Sequence, residues 1–220
     1  MNLYRGHLDY DGALAELEIA RQTLPNDARL FELKGYIERR RPGGNEEDAL
    51  RNFERAIQLD PRNSLLLEQT AFSYADLRLY AEEQAVLDRA LVIEPNKAET
   101  KILRAYVEFN WKADTRPLHQ QIDEIRAKDP TAMQNIAEDW LLCALAERDA
   151  AAAANALGAL GENSVGTPPY KFSAHFVRGL IGRMAKDDSK HDPLSLSRAQ
   201  SRRRWFVTIL MMLVLYACLV

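Results

Sequence analysis

Four histidines (His7, His119, His175, His191) and two cysteines (Cys143, Cys218) are the side chains best suited to hold a metal or act as nucleophiles. No histidine stands one helical turn from another histidine or from a cysteine, so spacing alone predicts no metal site. The cysteines lie 75 residues apart in apolar surroundings, which reads as buried thiols and not as a zinc or disulfide framework. Gly43-Gly44 lacks the lysine and the preceding strand of a phosphate loop, and no serine is flanked by glycines as in a hydrolase elbow. Gly179-Leu180-Ile181-Gly182 reads as small residues within a helix. Carboxylate pairs such as Glu46-Glu47, Glu82-Glu83 and Asp187-Asp188 suit solvated faces or first turns, where they favour the helix dipole. The expectation is a protein that is not an enzyme, with no catalytic residue, metal or cofactor.

The elements that would position any site follow a repeat. Ala13, Leu17, Ala20 and Pro25 are echoed by Ala49, Phe53, Ala56 and Pro61, then by Glu83, Leu87, Ala90 and Pro95. Successive prolines stand 36 and 34 residues apart, and Pro130 follows 35 later. Spacings of four and three put the apolar members on one helical face, and each proline stops its helix at the same place. Such units bury their apolar faces only against their neighbours, so the period predicts an array that offers an extended surface. The net charge of −3 conceals an asymmetry, because Arg198, Arg202, Arg203 and Arg204 all follow the last acidic residue, Asp192. The remaining body is acidic, which argues against nucleic-acid binding.

The pattern resembles the tetratricopeptide repeat (TPR) family, most closely over Ala28 to Pro95, where Gly35 and Ala71 match its small first-helix residue and Ala49, Phe53, Ala56 and Pro61 its second-helix signature. The resemblance implies an all-α superhelix, or solenoid, of helix-turn-helix repeats over 1–186, divided as 1–25 (partial), 26–61, 62–95, 96–130, 131–161 and 168–186 (partial). Helices are predicted at 28–41 and 46–59, with an Arg41-Pro42-Gly43-Gly44-Asn45 turn carrying two extra residues. Asn63 or Ser64 is placed to cap the next helix. Thr131 to Arg148 reads as one helix, Asp149 to Leu160 as another, 158–169 as a loop and Tyr170 to Met184 as a further helix.

An aromatic follows the small residue in each first helix: Gly35-Tyr36, Ala71-Phe72 and Ala105-Tyr106. One residue turns the helix about 100°, which in this family points the aromatic toward the inner surface. Glu32, Glu68 and Ile102, four residues earlier, share that face. Tyr36, Phe72 and Tyr106, with Arg39, Arg40, Glu32 and Glu68, are therefore the candidate partner-binding residues. The alternative is that the aromatics fill gaps between repeats. Glu32 and Glu68 stand where chaperone-binding members carry cations that clamp a terminal carboxylate. That departure implies an apolar partner with some basic character.

A polar, basic linker, 187–204, leads to Trp205–Val220, sixteen residues without charge directly after Arg202-Arg203-Arg204. Sixteen helical residues span ~24 Å, short of the ~30 Å hydrocarbon core. Absence of charge, interfacial Trp205 and Tyr216, and the flanking arginines favour a single-pass C-terminal membrane helix with cytoplasmic repeats, its apolar surface made by Phe206, Ile209, Leu210, Leu213 and Leu215. The alternatives are a helix covering the last repeat of a cytoplasmic protein, or that the sequence from Asp187 onward is foreign to the array. No secretory signal is read at the N-terminus. The function expected is a protein–protein interaction scaffold that binds a peptide or helix of a partner. The other reading is the regulatory repeat region, or a fragment, of a larger bacterial signalling enzyme or transcription regulator.

Overall fold

The computed structural model describes residues 9–161, 165–166 and 171–189. These form ten α-helices, which we number in chain order: α1 (Tyr10–Thr23), α2 (Ala28–Arg40), α3 (Glu46–Leu59), α4 (Ser64–Asp76), α5 (Tyr80–Ile93), α6 (Ala98–Lys112), α7 (Arg116–Lys128), α8 (Ala137–Glu147), α9 (Ala150–Leu160) and α10 (Ala174–Ser189). A 3₁₀ turn, Pro130–Gln134, precedes α8. Extended pairing among the described residues is limited to one antiparallel bridge, Val165 with Phe172. Among these residues no helix is long and apolar enough to cross a membrane, and Trp205–Val220 lies outside them.

The repeat is written in the backbone as well as in the side chains. At each proline the preceding residue closes its helix: Leu24, Asp60, Glu94 and Asp129 donate N–H to Ala20, Ala56, Ala90 and Ile125 at 2.9, 2.8, 2.9 and 2.7 Å. Their carbonyls then accept from the N–H three residues on, in Asp27, Asn63, Lys97 and Ala132. Proline has no N–H to continue the helix and its fixed φ suits the turn. The next helix is capped by a side chain in most copies, with Asp27 accepting from Arg29 N at 2.9 Å, Asn63 from Leu66 N at 3.1 Å and Asp129 from Thr131 N at 3.1 Å.

Within each helix pair a second turn recurs with a left-handed residue: Gly43 (φ 75°), Arg78 (φ 57°), Ala113 (φ 54°) and Arg148 (φ 63°), each 35 residues after the last. At Arg78 and Arg148 the following residue donates back five positions, Leu79 N to Tyr74 O and Asp149 N to Ala144 O, both at 2.8 Å. That is the Schellman closure of a helix. Arg41-Pro42-Gly43-Gly44 instead closes a tight turn, Gly44 N to Arg41 O at 3.0 Å, with proline and then glycine in the order a type II turn requires. The two extra residues of that repeat are absorbed there.

The chain forms two compact units, Met1–Thr100 and Lys101–Val220. In the first, α2 packs on α3, α3 on α4, and α4 on α5. Ala49, Phe53 and Ala56 are fully buried, as are Leu87 and Ala90, so the stripe that defined the repeat is its core. Glu83, at the position of Ala49, is buried as well. A Cβ on Gly35 would sit 2.7 Å from the Phe53 ring, which is why a glycine stands where α2 meets α3. In the second unit α8 packs on α9 and α9 on α10 around Leu141, Leu145, Leu157, Val177, Ile181 and Met184.

Three boundaries differ from expectation. The predicted helix Thr131 to Arg148 is broken, because Pro130 and the Asp129 cap start a 3₁₀ turn that ends before α8 begins at Ala137. The predicted loop at 158 begins instead at Gly161 (φ 68°), since α9 runs through Gly158 to Leu160. The last helix starts at Ala174 and extends to Ser189.

Candidate functional site

The α2 face carries the first part of the expected site. Glu32, Tyr36 and Arg40 follow one another at one-turn intervals and therefore share a side of the helix. Tyr36 Oη donates to Glu32 Oε1 at 3.2 Å, and the Arg40 guanidinium lies 5.3 Å from the Tyr36 ring centroid. Desolvation, and then the Glu32 charge, hold the Tyr36 phenol well above its usual range, so it stays a neutral donor. The inner edge of the ring meets Phe53 in a T-shaped contact, centroids 5.3 Å apart. Tyr36 and Glu32 are half-buried and Arg40 is exposed, so this ladder is rooted in the core and open outward.

Arg39, next on the helix, points inward. Its side chain is 5% exposed. Nη2 donates to Gln69 O at 2.7 Å and Ser73 Oγ at 2.6 Å, Nε lies 3.3 Å from Glu46 Oε1, and the guanidinium sits 4.7 Å from the Phe53 centroid. One residue thus ties α2 to α3 and α4. Burial pulls its pKa below the usual arginine value, which the Glu46 charge opposes.

Glu68 is likewise internal. It accepts from Lys97 Nζ at 2.9 Å and from Thr100 Oγ1, linking α4 to the start of α6. Ile102 is also buried. The face expected to be a continuous lining is therefore internal at these positions: Arg39 and Glu68 are bonded to other helices and Ile102 is buried. Phe72 is half-buried beside buried Ala71 on α4. Tyr106, in the second unit, is half-buried with its ring centroid 6.0 Å from that of Phe109. The membrane residues expected from Trp205 to Tyr216 lie outside the described residues.

A second grouping, not anticipated by histidine and cysteine spacing, forms between α7 and α8. His119 and Asp123 are one turn apart on α7, and Cys143 and Glu147 one turn apart on α8. A ligand-type atom from each of His119, Cys143 and Glu147 lies within 4.8 Å of the others. His119 Nδ1 is 2.6 Å from Glu147 Oε2, and Nε2 is 3.3 Å from Asp123 Oδ2. The Glu147 hydrogen bond raises the imidazole pKa against the cost of desolvation, with the Glu147 and Asp123 charges adding to it. Burial, reinforced by the Glu147 charge, pushes the Cys143 thiol up to about 12. Arg116, Gln120 and Glu124 border an open depression that reaches His119 and Glu147. Two donor pairs at one-turn spacing on facing helices would have revealed this grouping, had carboxylates been counted with histidine and cysteine.

No protein-family model matches the chain, and no curated protein matches it.

Proposed function

We propose that the chain is a TPR-like protein–protein interaction scaffold that engages a peptide or helix of a partner through the outward face of α2. The observation that carries this reading is the Glu32–Tyr36–Arg40 ladder, whose aromatic ring is fixed from below by Phe53 while its cation remains at the surface. A rigid aromatic beside an arginine is the composition of an interface anchor, and its ordering cost is already met by folding. Phe72 and Tyr106 supply the same residue type in the following first helices. The acidic body and Glu32 favour a partner that is apolar with basic character.

The test is quantitative affinity capture with the full chain against a Tyr36→Ala, Arg40→Ala, Phe72→Ala variant whose melting temperature is unchanged. A defined partner that wild type retains and the folded variant loses supports the reading. Equal capture by both proteins removes this face from the function. The scaffold is held at a membrane by charge-free Trp205–Val220, with the repeats on the arginine-flanked, cytoplasmic side. Carbonate extraction checks that tether, and quantitative release from membranes would leave a cytoplasmic scaffold.

A further inference from the structure

The geometry points to a binding site for a divalent transition cation of the zinc class, held by His119 Nδ1, Cys143 Sγ and a Glu147 carboxylate oxygen between α7 and α8. Three features carry it. The three donor atoms already lie within 4.8 Å of one another. Zinc–ligand bonds of ~2.0–2.3 Å at tetrahedral angles separate donors by roughly 3.3–3.7 Å, so small side-chain rotations close the site. The donor set is also selective: imidazole nitrogen with thiolate sulfur favours zinc-class ions over magnesium or calcium, which take oxygen.

The second feature is Asp123. It lies 3.3 Å from the other ring nitrogen of His119, at ion-pair distance, where it can accept the Nε2 proton once Nδ1 is the donor to the cation. A carboxylate in that place fixes the tautomer of a ligating histidine and raises its basicity. Arg126 in turn holds Asp123 at 3.4 Å. His119, Asp123 and Glu147 also line the open depression bordered by Arg116, Gln120 and Glu124, which gives an ion a path in from solvent.

The third feature is charge. The Glu147 and Asp123 carboxylates flank the His119 ring at 2.6 and 3.3 Å and supply the negative charge a divalent ion requires. Metal ligands bind in their deprotonated forms, so an entering cation would take the place of ligand protons at the imidazole and the thiol.

The experiment is cobalt(II) titration of the full-length protein followed by absorption, with proton release measured in weak buffer near pH 7. Wild type should take up one cobalt, develop thiolate-to-cobalt charge-transfer absorption, release protons on binding and lose the band to added zinc. Cys143→Ala should abolish the band. His119→Gln, at a half-exposed position where folding is not at stake, should weaken binding at least as much as Asp123→Asn, for which roughly 10–100-fold is expected. Circular dichroism checks that each variant is folded. Absence of the charge-transfer band in wild type overturns the proposal. So does a band or an affinity unchanged in folded His119→Gln, which would place the cation at other residues.

Discussion

Replacing Arg39 by methionine keeps the aliphatic stem against Phe53 and removes only the guanidinium. Three groups then lose their partner: Gln69 O, Ser73 Oγ and the Glu46 carboxylate, whose side chain is 18% exposed. Hydrogen bonds to a charged group contribute ~1.5–3 kcal/mol each, and the guanidinium no longer has to be desolvated, so the gains partly cancel. Breaking a buried pair from one side costs about 3–5 kcal/mol net, a large share of a domain stability of roughly 5–15 kcal/mol. Urea denaturation followed by far-ultraviolet circular dichroism should show a midpoint lowered accordingly, with little change in slope. Adding Glu46→Leu should restore part of the loss, because the stranded carboxylate is gone, and the coupling in the double-mutant cycle should exceed ~1 kcal/mol. A single-variant cost below ~1 kcal/mol, or strict additivity, would refute the reading of Arg39 as an internal tie and return it to the partner-binding face.

The left-handed turn residues give a paired prediction. Arg78→Gly removes an αL penalty of ~1–2 kcal/mol, offset by ~0.4–1 kcal/mol of added unfolded-state entropy, so the protein should gain roughly 0.5–1 kcal/mol in the same denaturation assay. Gly43→Ala has no neighbour within 4 Å of the new Cβ and should lose about 1 kcal/mol from backbone strain alone. For pH, the Arg29 backbone N–H hydrogen bond lowers the Asp27 carboxyl below its ordinary value. Its stabilisation is complete above the unfolded pKa of about 4 and lost as pH falls through the lower folded value. Asp27→Asn keeps a capping oxygen without the titration, so melting temperatures measured from pH 5 downward should fall less steeply than in wild type.

The helices that were most legible are those where several local signals agree. Between Ala28 and Leu59, a proline stop, Asp and Asn caps and a four-three apolar spacing coincide, and predicted helices at 28–41 and 46–59 match Ala28–Arg40 and Glu46–Leu59 within a residue. Where one signal stood alone, the boundary moved. Apolar residues recurring between Ala132 and Ala146 mask the break that Pro130 and Asp129 impose, and α9 continues through Gly158, where the sequence reads as a loop, because a lone glycine in a helix costs only ~1 kcal/mol. The 35-residue recurrence of Gly43, Arg78, Ala113 and Arg148 was illegible, since three of the four are not residues that announce a positive φ.

Side-chain direction marks the limit of reading by face. Tyr36 and Arg39 lie three residues apart and the sequence reads both as outward, yet a helix turn of about 100° per residue separates them by about 300°. That 60° difference sends Arg39 under the next helix pair while Tyr36 and Arg40 remain at the rim. The same geometry explains the cluster on α7 and α8. His119 and Asp123 share one face, Cys143 and Glu147 another, and only the antiparallel return through Pro130–Gln134 sets the two faces opposite each other. Each pair alone is an ordinary one-turn contact. Their convergence depends on where α8 starts, which the 3₁₀ turn decides: starting one residue later would rotate Cys143 and Glu147 together by about 100°, away from His119. The break that apolar patterning concealed is thus what assembles the grouping.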